Sequence, residues 1–210
     1  MIYLTGSGVN PKTLPILTRH PMLGVLTQPA SLHFSYVEPF KTWAADNGCF
    51  NPKASAAFTL PKYLSWLGRF STIANRCAFA TAPDVLSDAR ATWERSAPTF
   101  QAIRDAGYKA ALVAQNGIED MDISWDEFDA IFIGGDTTWK LSRCAQTVVA
   151  EAKRRGKWAH MGRVNSQKRL ELAWDFGCDS VDGNYLGFGP DTNIPKLLRW
   201  LERAEPRLWN

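Results

Sequence analysis

The chain has 210 residues, 45% hydrophobic and 21% charged, with 24 Lys and Arg against 21 Asp and Glu for a formal net charge of +3. This length suits one domain over residues 1–210 with a sizeable core, and the near balance of charge excludes a polyanion-coating surface, so a nucleic-acid partner has to be held by a local patch. No run approaches the roughly 18 uncharged apolar residues of a membrane helix, and the first residues, MIYLTGSG, lack a basic leader, so a soluble cytoplasmic protein with no membrane partner is expected.

In chain order, short apolar segments that read as buried parallel strands recur at residues 2–4, 24–26, 43–45, 77–80, 110–114, 130–133, 158–161 and 179–181. Helical signals fill most of the gaps. Leu141, Cys144, Ala145, Val148 and Ala152 share one face between Thr137 and a stop at Gly156. Ser166 can cap a helix carrying Leu170, Ala173 and Trp174 that ends at Gly177, and Pro195 opens a last helix with Leu197, Leu198 and Leu201. The gap after the second strand is the least helical, because Pro29 and Pro39 interrupt it. Strands alternating with helices imply a parallel sheet covered on both faces, and eight such units close into a single-domain (β/α)8 TIM barrel. An open doubly wound sheet is the alternative.

Cys49, Cys77, Cys144 and Cys178 are scattered with no CxxC pair, and His20, His33 and His160 form no HxH or HExxH. Neither a disulfide framework nor a zinc site is expected, and no metal or cofactor is assigned. In a (β/α)8 barrel the chemistry gathers where the strands end. Those ends are polar and glycine-rich, and Asp46, Asp84 and Asp182 would converge on one mouth.

The segments AADNGCF, TAPDV, VAQNGIED, IFIGGDT, HMGRVNS and GCDSVDG, in this order over residues 40–190, resemble the tRNA-guanine transglycosylase superfamily, whose members swap a guanine base for a 7-deazaguanine. The family's D-S-G-G-F/Y segment is matched by Asp46 to Phe50, its Q-G-G by Gln115, Asn116 and Gly117, its G-G-L-A by Gly134 and Gly135, its L-M-G-V-G by Met161, Gly162 and Arg163, and its nucleophile segment by Gly177 to Asp182. Asn47, Cys49 and Asn116 depart from the pattern, and the family's C-terminal zinc subdomain finds no counterpart in the 28 residues after Asp182. A zinc-free, shortened version is most similar to the DNA-guanine transglycosylases of phages and bacteria, which place the modified base in DNA.

The resemblance implies a base exchange with Asp182 as nucleophile and Asp46 as acid/base, since retention at the anomeric carbon takes two displacements. It implies Asp84 on the Watson–Crick edge of the base, Gln115 on its carbonyl, and Gly134 and Gly135 under it, with Met161 over one face. DNA, or alternatively tRNA, would lie along a basic rim of Arg163, Lys168, Arg169 and Lys140, with Trp139 as a stacking surface, and the second substrate would be a free 7-deazaguanine such as the 7-cyano form. Each residue also has a plainer reading: Asp182–Gly183 and Asp46–Asn47–Gly48 as turns, Asp84 as a cap, Met161 as core, the charges as a solvated face, and His160 as a packed histidine. A catalytically silent accessory barrel that binds nucleic acid, and a barrel hydrolase or phosphate-binding isomerase, are the rival functions.

Overall fold

Eight strands, β1 (Ile2–Thr5), β2 (Leu23–Thr27), β3 (Trp43–Ala45), β4 (Cys77–Thr81), β5 (Ala110–Ala114), β6 (Ala130–Ile133), β7 (Trp158–Met161) and β8 (Ser180–Gly183), pair in chain order, all parallel, and β8 returns to β1 to close the barrel. The computed structural model describes residues 1–29, 31 and 33–204. The (β/α)8 barrel expected from the alternation is therefore the fold, and the open sheet is excluded by the β1–β8 pairing.

Among the described residues ten helices cover the outside: α1 (Leu14–Leu17), α2 (Phe34–Val37), α3 (Pro52–Ala57), α4 (Leu60–Gly68), α5 (Ala89–Ser96), α6 (Phe100–Asp105), α7 (Thr137–Lys140), α8 (Arg143–Arg154), α9 (Gln167–Phe176) and α10 (Pro190–Ala204). Local chemistry sets their starts. Asn51, Asp88, Asp136, Ser142 and Ser166 each accept a backbone N–H with the side chain at the helix entrance, typically worth about 1 kcal/mol per cap. The α9 helix starts at Ser166 and stops at Gly177 (φ 91°), as the sequence suggests.

Two expectations need correction. The helix placed between Thr137 and Gly156 is two, broken where Ser142 caps the second, and Cys144 is exposed while Ala145, Val148, Val149 and Ala152 form the buried stripe. The last helix opens at Pro190, so Pro195 stands inside it. The crossover from β5 to β6 carries only two short 3₁₀ turns, Ile118–Asp120 and Trp125–Glu127.

Two apolar layers follow from the alternation of side chains along each strand. The outer layer joins strands to helices and includes Val25, Leu112, Ile131, Met161 and Val181 packed with Leu17, Val148 and Leu197. The inner layer fills the barrel, with small residues Ala44, Ala78, Ala111 and Ala130 making room for Phe79 and Phe132. The His160 ring packs into this interior at 5.0 Å from Phe79 and 4.5 Å from Phe132, centroid to centroid. Among the described residues no helix is long and apolar enough to cross a membrane.

Candidate functional site

The carboxyl ends of the strands surround a cavity of about 300 Å³, at the small end of the roughly 300–1,000 Å³ typical of ligand sites. Asp46, Asp84, Gln115, Gly134, Arg163 and Asp182 line it, so residues separated by up to 136 positions in the chain meet at one mouth. This is the convergence expected of strand ends in such a barrel.

The three carboxylates differ in their surroundings. Asp46 follows β3, and its Oδ1 accepts the Gly48 N–H at 2.6 Å in an Asx turn that uses the positive φ of Gly48 (77°). The turn reading of Asp-Asn-Gly is thus correct, and the same carboxyl still faces the cavity. Burial pushes the Asp46 carboxyl up to about 7; the Gly48 N–H opposes this, and the negative charges of Asp84 and Asp182 reinforce it.

Asp84, after β4, is buried between two amide donors. Asn47 Nδ2 lies 3.2 Å from its Oδ1, and Gln115 Nε2 lies 2.7 Å from its Oδ2. Burial raises this carboxyl, and the two amides and the Arg95 charge pull it back toward the anion. Gln115 is itself fixed, because its Oε1 accepts the Ser87 N–H at 2.9 Å. A Cβ on Gly134 would come within 3.0 Å of Gln115 Nε2 and 2.7 Å of Val113 Cγ1, so glycine is what the close fit of β5 against β6 requires there. Asn47 was not assigned a role from sequence; it is buried, and its amide holds Asp84.

Asp182 ends β8. The β7–β8 register sets His160 opposite Ser180, with both side chains inside the barrel, and Asp182 lies one inward position further along. His160 Nε2 is 3.0 Å from Asp182 Oδ1, and its Nδ1 is 2.8 Å from Ser180 Oγ. The expectation of a merely packed histidine is corrected: the ring is fully buried and is tied to the candidate nucleophile. A Cβ on Gly162 would meet Phe132 Cε1 at 2.7 Å and Asp182 Oδ1 at 3.2 Å, so this glycine keeps the approach to the carboxylate clear.

Among the described non-glycine residues, Ser87 (φ 59°) and Arg163 (φ 61°) have left-handed backbones. Arg163 lines the cavity and the Ser87 N–H holds Gln115, which also lines it; a left-handed backbone at a non-glycine residue costs on the order of 1–3 kcal/mol. Arg163 donates through Nη2 to the carbonyls of Gly134, at 2.6 Å, and Gly135. Its guanidinium lies 5.3 Å from the ring centroid of Phe50, which is 60% exposed at the cavity edge and has no role assigned from sequence.

Four sequence expectations are not met in place. Lys140 is fully buried and donates from Nζ to the Gly162 carbonyl at 2.5 Å, so it cannot belong to a phosphate-binding rim; burial and the nearby Arg163 charge pull its ammonium down to about 7. Met161 points outward into the layer beneath the helices, because His160 beside it points inward. Gly135 does not line the cavity, and a Cβ there would strike the Trp139 ring at 2.3 Å. Trp139 is buried, with its indole N–H held by the Glu119 carboxylate, and offers no stacking face. Lys168 is exposed and Arg169 partly so, with Arg169 Nη1 reaching the Arg163 carbonyl at 3.3 Å.

No group of three or more His, Cys, Asp or Glu side chains among the described residues could hold a metal ion. Comparison with protein-family models and with curated proteins gives no match to this chain, so the functional reading rests on the residues of the site.

Proposed function

We propose that the chain is a guanine transglycosylase that exchanges guanine for a 7-deazaguanine, such as 7-cyano-7-deazaguanine, in DNA through a covalent Asp182–sugar intermediate. The supporting observation is the presence in one cavity of three carboxyls in three different environments: Asp182 held by a histidine, Asp46 raised to about 7, and Asp84 held by two amides. A carboxyl raised to about 7 can hold a proton for a departing base, the acid/base role in a two-displacement exchange. A silent binding barrel would have no use for such a group.

In the first displacement Asp182 attacks the anomeric carbon, C1′. The bond from C1′ to N9 of guanine breaks with its electron pair going to the base, which takes the proton from Asp46. A bond between a carboxylate oxygen and C1′ has formed. In the second displacement the corresponding ring N–H of the incoming base returns its proton to Asp46, its nitrogen forms the new bond to C1′, and the pair of the breaking ester bond returns to Asp182. Two inversions give net retention. Throughout, Asp84 accepts the adjacent N–H donors of the base edge, and the second N–H of the Gln115 amide is available to the base carbonyl.

The free base gives a direct test of this assignment. Asp84→Ala is expected to weaken calorimetric binding of free 7-deazaguanine by about 10- to 100-fold, since hydrogen bonds to a charged group contribute roughly 1.5–3 kcal/mol. Unchanged affinity would remove Asp84 from recognition.

The polymer is expected to enter as a single-stranded or locally opened stretch, because extracting a base from a duplex costs a few kcal/mol. Arg163 over the exposed Phe50, with Leu86 also at the cavity edge, presents an apolar and cationic lip suited to an unstacked base. Lys168→Ala should reduce the slope of log affinity against log salt for single-stranded DNA by about 0.7, the value for one lost phosphate contact. Lys140→Met should leave that slope unchanged. The proposed reaction between a nucleic acid and a free base is one suited to the cytoplasm.

A further inference from the structure

We propose that Trp158, Ser180 and His160 form a hydrogen-bonded chain that orients the Asp182 carboxylate, with His160 as a positioning residue that ties Oδ1 and leaves Oδ2 to attack. This rests on the role of Asp182 as nucleophile and adds the residues that aim it.

The direction of the chain follows from its donors. The indole N–H of Trp158 can only donate, and it lies 2.9 Å from Ser180 Oγ. Ser180 Oγ keeps one hydrogen to donate and one lone pair to accept, so its 2.8 Å contact with His160 Nδ1 takes its direction from the other side of the ring. There Asp182 Oδ1, 3.0 Å from Nε2, calls for a hydrogen on Nε2, which in a neutral ring makes Nδ1 the acceptor of the Ser180 hydroxyl. An ionised carboxylate only accepts, so the opposite tautomer would set two lone pairs against each other.

The two oxygens of Asp182 are therefore unequal. Oδ1 has a fully buried donor, whereas Oδ2 has the Arg163 backbone N–H at 3.4 Å, a long contact. Oδ2 is the oxygen free to bond C1′. In the covalent intermediate Oδ1 becomes the ester carbonyl and keeps the His160 N–H; when the C1′–Oδ2 bond breaks, that same donor meets the returning negative charge. The Phe79 and Phe132 rings, themselves in edge contact, pack against the imidazole and hold it in place. His160 does not line the cavity, so it acts through Asp182 and not on the substrate.

The test joins imidazole NMR to kinetics. In uniformly ¹⁵N-labelled protein, long-range imidazole spectra should show His160 with its hydrogen on Nε2, assigned by its absence from His160→Leu, and Asp182→Asn should move that proton upfield as the acceptor loses its charge. A hydrogen on Nδ1 alone, or no response to Asp182→Asn, overturns the chain whether or not the protein exchanges bases. In exchange assays His160→Leu should lower kcat by about 10²-fold, as expected of a misaligned nucleophile, with little change in KM for the free base. His160→Gln, which can place an amide N–H near Oδ1, should recover most of the loss. A His160→Leu enzyme within about threefold of wild type, less than 1 kcal/mol in barrier, overturns the positioning role, as does an equal loss in both variants. Absence of exchange by the wild-type protein, with the NMR response present, would overturn the transglycosylase reading and leave the orienting chain standing.

Discussion

Asp182→Asn is expected to abolish base exchange, by about 10⁴-fold or more, the scale seen when the member of a catalytic set that makes the covalent bond is removed. The amide is close in shape to the carboxylate and can still accept the His160 N–H, so the barrel should remain folded, with a thermal midpoint close to that of wild type. What it lacks is the electron pair of an anion to offer C1′. Denaturing quench followed by mass spectrometry of the peptide that holds Asp182 should show a sugar adduct in wild type and none in the variant. Near-normal turnover in Asp182→Asn would remove the nucleophile.

Asp46→Asn is expected to slow exchange by about 10²- to 10⁴-fold, the contribution of a general acid/base. Because the Asp46 carboxyl is raised to about 7, it holds its proton below that pH and has lost it above. The first displacement needs the proton for the departing base, so kcat/KM on the polymer should fall as pH rises through about 7, and Asp46→Asn should lack that limb. Stability has the same sign. Below the unfolded carboxylate value of about 3.9 both states bind the proton; between there and about 7 the folded protein binds more, so stability falls as pH rises across that window. Asp46→Asn should flatten the dependence, as read by thermal midpoints at a series of pH values. A polymer kcat/KM that rises through pH 7 would reverse the assignment of Asp46.

The strands were legible because a parallel strand covered on both faces is a short apolar run, and all eight lie within a few residues of where the sequence puts them. The β8 strand runs one or two residues later than expected, and Asp179 just before it accepts from Lys153 Nζ and the Ala159 N–H. The last helix was misplaced because the preference of proline for a first helical position applies to Pro190 as well as Pro195, and no periodicity separates them.

At the site, Asp46, Asp84, Gln115 and Asp182 were found because each ends a strand, and strand ends meet in a barrel. His160 was not, since its partners lie 20 and 22 residues away and are brought to it only by the β7–β8 register. Strand parity could have found it: with Gly162 facing inward, His160 two residues earlier must face inward, and Met161 outward. Lys140 was misread because helical spacing does not say which face of the one-turn α7 lies against the barrel, and there it meets the Gly162 carbonyl.

The most direct test of the base-exchange account is incubation of the protein with radiolabelled guanine and, separately, single-stranded DNA, duplex DNA and tRNA at low salt. Label is expected to enter DNA, faster in single strands than in duplex, without strand cleavage, and to be chased out by unlabelled 7-cyano-7-deazaguanine. Label entering tRNA but never DNA would overturn the choice of polymer and leave the glycosyl transfer intact. No label in any of the three would contradict the account itself.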